Sequence, residues 1–560
     1  MQSSFWKLGA WKLWAAAVLS AGLLELPFPL AGPMPVWRSV FAWFGLVPLL
    51  WAILSPASLE ALRPLRRGFL VGYLCGVLWY MGNCYWVRDT MLHYGDMPPM
   101  APTLLLIGYS LVLGAYFGLF GLGLVLVRRA TGSTRLALAF APFLWAALEL
   151  AASRITSVPW DQLGYSQVDN AIVNQLAPWT GVYGISFVLV GVNALLTGGL
   201  MLKSRPHIGH RDRIILRVLG VLLMMAGAAG ISVPPPHPAP TDTAVLIQPN
   251  LDVGDENAWS RPGEWEQHIA EFKRLAAEQC KTYIAGIPQT GAPTGEIICP
   301  PHPTHPDLVA WPESPAPFIE QNARFEQAMT AIARQAQAPL IVGNLGVDIS
   351  ADGGVHYYNS ARIEGADGMR VGRYDKIHLV PFGEYIPFQN LLTFARKLTG
   401  RVSSFTRGEE PKVFRLPTAN GEAHRYGVFI CYESVFADEV RHFAQLGAEV
   451  LVNISDDGWY GDTSAPWQHL NMARMRAIEN RRWILRDTNN GVTAVIDPYG
   501  RVRQSIPRHQ TDALPAGYAF RDDVTFYTAH GDIFGWLCVI VSFGVVAWSG
   551  RKLLRQKIAS

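Results

Sequence analysis

Charged residues are scarce in this chain, and the scarcity is concentrated in two regions. Only 16% of the 560 residues carry a charge, whereas globular domains carry about 25%. The deficit lies in residues 1–240 and near the C-terminus, while the stretch between them has the composition of a soluble protein. The net charge is only +3, and no basic tract alternates with aromatic residues. These features argue against a nucleic-acid partner.

Recognisable cofactor and metal motifs are missing as well. No spacing of Cys and His is typical of a zinc site, and no glycine-rich phosphate loop follows a predicted strand. Asp456 and Asp457 have the pattern of a turn before Gly458, and an acidic metal site would need further ligands. His378 and His469 are more often hydrogen-bonded framework residues than ligands. We therefore expect neither a metal nor a cofactor.

Long apolar runs are what the chain has in excess. A helix needs roughly 20 apolar residues to cross a bilayer core. The sequence contains eight candidate spans, of which the fifth is the weakest because Glu149 falls inside it. The first lacks a small-residue cleavage site and precedes seven more, so we interpret it as a span and not as a signal peptide. The eight are centred on residues 9–28, 37–56, 68–87, 102–127, 136–153, 181–202, 213–232 and 530–549.

The distribution of Lys and Arg predicts how these spans are oriented. Basic residues follow spans two, four, six and eight, whereas the loop between spans one and two has none before Arg38. Because short cytoplasmic loops carry the excess of basic residues, both termini are expected in the cytoplasm. The soluble stretch between spans seven and eight then lies outside, which in a bacterium-like cell is the periplasmic side of the inner membrane.

Cysteine usage fits an oxidising compartment but does not prove one. Of the six cysteines, three lie in the predicted spans and three in the soluble stretch. Cys280 and Cys299 flank a segment rich in Pro and Gly, which a disulfide would close into a loop. Three cysteines allow three pairings, so this disulfide is a hypothesis. With that pairing, Cys431 remains as a free thiol.

The soluble stretch alternates between strand and helix patterns. Continuous apolar runs such as residues 243–250, 339–347 and 449–457 suit strands that are buried on both faces. Residues 320–337 and 467–484 instead place their apolar residues at helical spacing. This alternation predicts an α/β fold built as a layered sandwich.

Three polar residues lie where predicted strands end. Glu313 ends the string "AWPE", Lys376 lies in "YDKIHLVPFGEYIP", and Cys431 ends "YGVFIC". A thiolate is a nucleophile, a glutamate with a pKa raised by burial can remove the thiol proton, and an ammonium can stabilise an oxyanion. Taken alone, each has an ordinary alternative: a buried cysteine, a turn carboxylate and a solvated lysine. Together they predict a catalytic group.

The order and context of these residues resemble the nitrilase superfamily, whose members use a Glu–Lys–Cys triad on an αββα sandwich. The strings "QHLNMARMRAIENRR", "NNGVTAVIDPYG" and "PWDQLGY" sharpen the resemblance to the apolipoprotein N-acyltransferase family. The resemblance implies a nitrilase-like αββα sandwich inserted between the transmembrane helices of an eight-helix membrane domain. It implies seven transmembrane helices in residues 1–240, a periplasmic catalytic domain in 241–520, and an eighth helix with a cytoplasmic tail in 521–560.

The resemblance also implies roles for the site residues. Glu313 is expected to be the general base, Lys376 to stabilise the oxyanion and the thiolate, and Cys431 to be the nucleophile. Glu384, in "PFGE", resembles a second essential glutamate that orients Lys376.

Further residues are carried over as supporting or substrate-binding groups. Tyr432 and Glu433 follow the nucleophile as they do in the family, and the Tyr432 N–H is a candidate second oxyanion donor. Trp259 resembles a tryptophan implicated in substrate access, and we assign Trp259 and Trp459 to substrate binding. Asp456 stands where the family has Asn, which puts one hydrogen-bonding role in doubt.

The implied reaction is acyl transfer by a ping-pong mechanism. Cys431 would take an acyl chain from the sn-1 position of a phospholipid, expected to be phosphatidylethanolamine, and hold it as a thioester. The chain would then pass to the N-terminal α-amine of the diacylglyceryl-cysteine of an apolipoprotein, which completes lipoprotein maturation. The expected partners are therefore a phospholipid donor and a diacylated apolipoprotein acceptor, both in the membrane. The protein is expected to be a monomer.

Several alternatives remain open at this point. A membrane-tethered amidase or nitrilase would give the thioester to water, and the triad alone does not exclude it. A non-catalytic scaffold that binds lipoproteins would not need Cys431. Residues 388–405 are either a lid that dips into the outer leaflet or a helix packed on its own domain. Glu149 and Arg154 are a candidate charge pair, or else residues at the membrane interface.

Overall fold

The chain forms two compact units. The computed structural model describes residues 10–559 except 96, 99, 202–209, 254–260, 262, 277–282, 285–295, 298–304, 314–317 and 386–404. The membrane unit consists of the described residues among 1–88, 99–234 and 530–560. The sandwich unit consists of those among 89–98 and 235–529. The domain limits proposed from the sequence, at 240 and 520, stay a prediction.

Helices build the membrane unit and cover the sheets of the sandwich unit. Two short 3₁₀ turns, Cys431–Val435 and Asp457–Tyr460, matter for the site. In chain order the α-helices are α1 (Ala10–Glu25), α2 (Val47–Leu54), α3 (Pro56–Leu59), α4 (Pro64–Asn83), α5 (Trp86–Tyr94), α6 (Met100–Thr131), α7 (Thr134–Ile155), α8 (Ala177–Thr180), α9 (Val182–Met201), α10 (His210–Ala229), α11 (Glu264–Ala276), α12 (Ala323–Ala336), α13 (Ala437–Gln445), α14 (Ala465–Asn480), α15 (Phe526–His530) and α16 (Ile533–Ala559).

Several helices of the membrane unit are suited to a bilayer. Among the described residues, five helical segments are long and apolar enough to cross it: Val36–Leu54, Met100–Thr131, Thr134–Ile155, Val182–Met201 and Ile533–Ile558. The first predicted span corresponds to α1, of which the structure describes the 16 residues Ala10–Glu25. The chain therefore has a membrane-spanning part, while the count of eight spans stays a prediction.

Charge pairing at the end of α7 differs from the prediction. Arg154 forms an ion pair with Asp532 at an N–O distance of 2.6 Å. Oε1 of Glu149 instead accepts hydrogen bonds from Trp145 Nε1 and the Leu163 N–H, both at 2.8 Å. The predicted pair of Glu149 with Arg154 is therefore wrong, because residues five positions apart on a helix point about 140° away from each other.

The sandwich unit contains two six-stranded sheets, with strand orders β14-β1-β4-β5-β6-β7 and β13-β12-β11-β10-β9-β8. The central pairs β1–β4, β4–β5, β9–β10 and β10–β11 are parallel. The strands are β1 (Asp242–Gln248), β2 (Tyr283–Ile284), β3 (Glu296–Ile297), β4 (Leu308–Ala310), β5 (Leu340–Ile349), β6 (Val355–Glu364), β7 (Arg370–Asp375), β8 (Val413–Pro417), β9 (Ala423–Ile430), β10 (Val450–Ser455), β11 (Ile484–Thr488), β12 (Ala494–Ile496), β13 (Val502–Ser505) and β14 (Asp512–Tyr518).

Each sheet is covered by helices on its outer face and by the other sheet on its inner face. One core joins both sheets, with Leu246 and Ile363 of the first and Val428 and Val452 of the second, and it extends to Phe443 of α13. A second core lies between the first sheet and helices α11 and α12. The continuous apolar strands follow from this burial on both faces. The arrangement confirms the predicted αββα sandwich.

Candidate active site

The three polar residues predicted to act together lie at strand ends and form one electrostatically coupled cluster. Glu313 lies three residues beyond β4, Lys376 directly follows β7, and Cys431 directly follows β9. Lys376 Nζ lies 3.0 Å from Oε1 of Glu313, and the Glu313 carboxylate acts electrostatically on the Cys431 thiol. Both sheets therefore contribute to one cluster at the edge where these strands end.

Lys376 lies between two carboxylates that share a second donor. Its Nζ is 3.0 Å from Oε1 of Glu313 and 3.0 Å from Oε1 of Glu384. The Asn359 amide donates to the same two oxygens, at 2.7 and 2.6 Å. Oε2 of Glu384 accepts from the Val380 N–H at 2.7 Å, which fixes this carboxylate to its own turn. Glu384 is thus placed to orient Lys376.

The charges of this cluster set the protonation of its members. Burial raises the pKa of Glu313, but the Lys376 ammonium and the hydrogen bonds to the carboxylate outweigh it, and the net pKa is lowered. Burial alone would raise this pKa, and the contact with Lys376 reverses the direction. Burial lowers the pKa of Lys376, yet Glu313 and Glu384 raise it well above its usual value. Glu313 is a carboxylate and Lys376 an ammonium at neutral pH.

Cys431 lies in an unusual backbone conformation at the end of β9. Its φ is +48°, a left-handed value that is uncommon for residues other than glycine and that is often found at functional sites. The residue is 5% exposed and is a free thiol. Burial raises the pKa of this thiol well above its usual value, Glu313 raises it further, and Lys376 lowers it. The resting thiol is therefore neutral.

Glu433 connects the nucleophile turn to the segment that carries Lys376. Its Oε2 accepts from the Ile430 N–H at 2.6 Å. Its Oε1 accepts from the Ile377 N–H at 2.6 Å and from the Tyr374 hydroxyl at 2.7 Å. Burial and the nearby Glu439 raise the pKa of Glu433 to about 7. Glu433 thus joins the two segments by hydrogen bonds. The Tyr432 ring packs on His378 and Phe436.

A buried polar network lies behind the nucleophile turn. His469 Nε2 lies 3.0 Å from the Cys431 carbonyl oxygen, and its Nδ1 lies 2.9 Å from Oδ1 of Asp457. Arg486 holds the other Asp457 oxygen at 2.7 Å. Burial raises the pKa of Asp457, but Arg486 and His469 lower it to a net value below the usual range. His469 is thus a framework residue, as the sequence predicted.

Asp456 is a buried acid beside the general-base candidate. Its N–H donates to Oε2 of Glu313 at 2.9 Å. Its carboxyl accepts from the Gly458 N–H at 3.0 Å and from the Asn489 amide at 3.2 Å. Burial and the Glu313 charge raise the pKa of Asp456 to about 8. The backbone therefore supports Glu313, while the side chain is bonded away from it to Asn489.

The structure describes only one of the two predicted substrate-binding tryptophans. Trp459 is 43% exposed, and its ring contacts that of Tyr94 at a centroid distance of 5.4 Å. The Tyr94 hydroxyl also donates to the Gly458 carbonyl at 3.0 Å, which ties Tyr94 to the 3₁₀ turn Asp457–Tyr460. Trp259 lies outside the described residues.

Other predicted features also lie outside the described residues. Cys280 and Cys299 are among them, so their disulfide stays a hypothesis. Most of the predicted lid, residues 388–404, is likewise outside. Within the described part of the chain, no group of three or more His, Cys, Asp or Glu is arranged to hold a metal ion.

Sequence reasoning missed Asn359 and the support behind Cys431. Asn359 lies inside β6, opposite Leu345 of β5, and no motif marks it. Arg486 lies on β11, and no motif marks it either. The arrangement as a whole offers a thiol, a carboxylate base and an ammonium around one point, with no other cation in the hydrogen-bonded cluster that the structure describes. These groups are suited to attack by sulfur on a carbonyl carbon.

Comparisons with known proteins place both units in one family. Residues 20–195 match the model of the apolipoprotein N-acyltransferase N-terminal domain, and residues 244–514 match that of carbon-nitrogen hydrolases. The chain is 32% identical over 542 residues to the apolipoprotein N-acyltransferase of Geobacter metallireducens, covering 96% of this chain and 95% of that protein. It is 31% identical to the protein of the same name from Pseudomonas putida, covering 92% and 94% of the two chains.

Solved structures that resemble the chain include a nitrilase-superfamily amidase from Nesterenkonia. The TM-score is 0.34 and the identity 16%, with 54% of this chain and 98% of that chain covered. The similarity to the curated relatives is independent of this match and extends over nearly the full length of both chains. The chain therefore belongs to the apolipoprotein N-acyltransferase family and is a bacterial-type membrane acyltransferase.

Proposed function

We propose that this protein transfers an acyl chain from the sn-1 position of a phospholipid to the N-terminal α-amine of the diacylglyceryl-cysteine of apolipoproteins. Cys431 carries the chain as a thioester between the two half-reactions. The observation that carries the proposal is the ion pair of Glu313 with Lys376, which lies close enough to the Cys431 thiol for both charges to act on it. The curated relatives that bear this name support the acceptor.

In the first half-reaction, sulfur attacks the ester carbonyl while the thiol proton passes to the Glu313 carboxylate. The Lys376 ammonium stabilises the oxyanion that forms on the carbonyl oxygen. The bond from the carbonyl carbon to the glycerol oxygen then breaks, and Glu313 returns the proton to that oxygen. A lysophospholipid leaves, and a thioester on Cys431 remains.

In the second half-reaction, the α-amine of the acceptor attacks the thioester carbonyl. Glu313 accepts the proton that the amine nitrogen loses, and Lys376 again stabilises the oxyanion. The carbon–sulfur bond breaks, and Glu313 returns the proton to the sulfur. The products are an amide and the free thiol, so the enzyme is restored without any cofactor.

Placement of the site at a membrane follows from the substrates. Both are lipids whose acyl chains cost about 0.8 kcal/mol per methylene to move into water. A catalytic unit joined to helices that cross the bilayer keeps the site near both substrates. We place the sandwich unit on the periplasmic side of the inner membrane, with both termini cytoplasmic, on the distribution of Lys and Arg.

The proposal is tested by looking for the thioester directly. The purified protein is incubated with phosphatidylethanolamine of defined acyl chains and no acceptor, and the peptide containing Cys431 is examined by mass spectrometry. We expect an added acyl mass that neutral hydroxylamine removes and that Cys431→Ala lacks, while the matched variant Cys538→Ala retains it. Untouched lipid with no adduct would refute phospholipid-derived acyl transfer. Free fatty acid released in steady turnover would instead identify a hydrolase.

The raised pKa of Asp456 predicts that the reaction rate depends on pH differently in Asp456→Asn than in the wild type. This acid is neutral below its pKa of about 8 and negative above it, where its charge would stabilise the neutral thiol and oppose the oxyanion. We expect the rate of thioester formation in Asp456→Asn, divided by that of the wild type, to rise about threefold to tenfold between pH 7 and pH 9. The first half-reaction is measured because it does not involve the amine.

The control for this experiment is Asp462→Asn, which removes a carboxylate whose side chain is 81% exposed. Its rate relative to the wild type should stay constant over the same pH range. A constant ratio for Asp456→Asn as well would show that Asp456 does not ionise next to the site.

Glu433→Gln is expected to lower both the rate and the stability. The carboxylate accepts hydrogen bonds on both oxygens, whereas glutamine can accept on only one and would direct its NH₂ at a donor. We expect the rate of thioester formation to fall about a hundredfold and the free energy of unfolding to fall by about 2–3 kcal/mol. Thermal unfolding and the thioester assay measure the two effects.

The matched control is Glu439→Gln. The Glu439 carboxylate bonds to His378, which lies in the segment that carries Lys376, but the Glu439 side chain is partly exposed. It should lower the rate by less than about threefold. Equal effects of the two substitutions would contradict the positioning role of Glu433.

A further inference from the structure

The membrane unit contains a small cavity that the acyl-transfer mechanism does not use. Its volume is about 50 Å³, which is room for roughly three to five water molecules. Aromatic rings make up much of its wall, including Trp79, Tyr80, Tyr116, Phe117, Trp145 and Trp160. Such rings attract cations through the negative faces of their π-systems.

Carboxyl groups face this aromatic cavity without being fully bonded. Asp161 lines it and is 1% exposed, and neither of its carboxyl oxygens has a hydrogen-bond partner at standard distance, although the Asn83 amide lies near it. Glu149 also lines it and uses Oε1 for its hydrogen bonds, whereas Oε2 has none at standard distance. A buried polar oxygen without a partner costs free energy.

A third carboxyl and the backbone support the same location. Both oxygens of Glu25 are buried without a partner at standard distance, although the Asn83 backbone lies near them. This carboxyl does not line the cavity itself, but it interacts electrostatically with Asp161. Gly82 leaves the space that Glu25 occupies, because a Cβ there would lie 2.5 Å from Oε1 of Glu25. Asp161 itself has a φ of +47°, a left-handed value that is uncommon outside glycine and often found at functional sites.

No cation of the described chain balances these acids. Arg154, the nearest arginine along the chain to Asp161, is paired with Asp532 instead. No lysine, arginine or histidine is among the groups that act electrostatically on Glu25, Glu149 or Asp161. Ionisable groups within membrane helices are costly and commonly mark a functional site.

We propose that this cavity binds a primary ammonium group, held by Asp161 and Glu149 and enclosed by the aromatic rings. An ammonium offers three N–H donors, which match the free oxygens of these two carboxyls. A metal ion suits the site less well, because the described residues contain no metal-ligand cluster. The ammonium comes either from an amine-bearing lipid head group or from a small free amine. This inference does not depend on the acyl-transfer proposal.

The test measures binding and not acyl transfer. The full-length protein is purified in a detergent free of amine lipids, and its unfolding temperature is recorded against increasing ethanolamine at pH 7.5. Ethanol at equal concentration and sodium chloride at equal ionic strength serve as reference solutes. We expect a saturable rise of about 2–4 °C with ethanolamine only.

Variants identify the site. Asp161→Asn keeps the shape but removes the charge, and the ethanolamine shift should disappear. Glu149→Gln should lower the apparent affinity at least about fivefold and serves if Asp161→Asn does not fold. Glu60→Gln, which removes an exposed carboxylate of the same unit away from the cavity, should leave the shift unchanged. No saturable shift, or an equal shift in Asp161→Asn, would overturn the proposal.

A second arm distinguishes the two sources of the ammonium. The protein is mixed with equal amounts of phosphatidylethanolamine and phosphatidylglycerol, and retained lipid is measured by native mass spectrometry. Preferential retention of phosphatidylethanolamine that is lost in Asp161→Asn would assign the cavity to a lipid head group. Equal retention of both lipids, together with the ethanolamine shift, would assign it to a free amine.

Discussion

Replacing Cys431 with serine is expected to lower the rate of acyl transfer by at least about ten-thousand-fold. The substitution keeps nearly the same size in a position that is 5% exposed, so the fold should be unchanged. A hydroxyl is a much weaker acid than a thiol. Glu313 is a weak base, because Lys376 lowers its pKa against the effect of burial, and it cannot remove a hydroxyl proton at a useful rate.

The measurement is the rate of N-acylation of a diacylated lipopeptide, with thermal unfolding as a check on folding. Cys538→Ser makes the same change at another buried cysteine and should retain more than about half of the activity. Retention of more than about one per cent of the activity by Cys431→Ser would exclude a sulfur nucleophile as the only route.

The second large effect is expected for Lys376→Met, which should lower both the reaction rate and the stability. Lys376→Met removes the cation from between Glu313 and Glu384 and leaves two carboxylates around Asn359 in a buried site. We expect the rate of thioester formation to fall at least about a thousandfold. The free energy of unfolding should fall by about 3–5 kcal/mol, because buried charges would lose their partner.

A double variant separates these two effects. Lys376→Met combined with Glu384→Gln leaves one buried carboxylate instead of two, so part of the lost stability should return. The rate should not return, because no ammonium remains to stabilise the oxyanion. Lys412→Met, at a partly exposed position in the same unit, is the matched control and should change neither quantity. A double variant no more stable than Lys376→Met would show that repulsion between the carboxylates is unimportant.

Sequence reasoning located the central residues of the site because its signals are local. Glu313 and Cys431 follow apolar strand patterns directly or within a few residues, and such positions meet at one edge when the strands share a sandwich. Lys376 follows the mostly polar strand β7, and its assignment rested on the string around it. The structure brings all three into one cluster. Their catalytic roles are proposals, since they rest on geometry and on resemblance.

The rest of the site depends on pairing between distant segments and was not predictable in the same way. Asn359 reaches the two carboxylates only because β6 pairs with β5 and β7 in one register. The lowered pKa of Glu313 depends on a contact that spans 63 residues. Neither fact leaves a pattern within one stretch of sequence.

The membrane unit shows a similar division. Apolar runs located its helices, yet five segments of the described residues are long and apolar enough to cross a bilayer, where hydropathy predicted eight. Pairing of Arg154 with Asp532 joins α7 to the C-terminal part of the chain, whereas the sequence offered only Glu149 as a candidate partner.

The raised pKa of the Cys431 thiol also bears on how long the enzyme survives. Peroxides and disulfides react with the thiolate and hardly with the neutral thiol. A buried thiol that stays protonated at rest is therefore expected to resist oxidation, and in the proposed mechanism its reactive form arises when Glu313 removes the proton. The same sulfur atom is thus protected from oxidation while it is protonated and becomes a nucleophile once it has lost its proton.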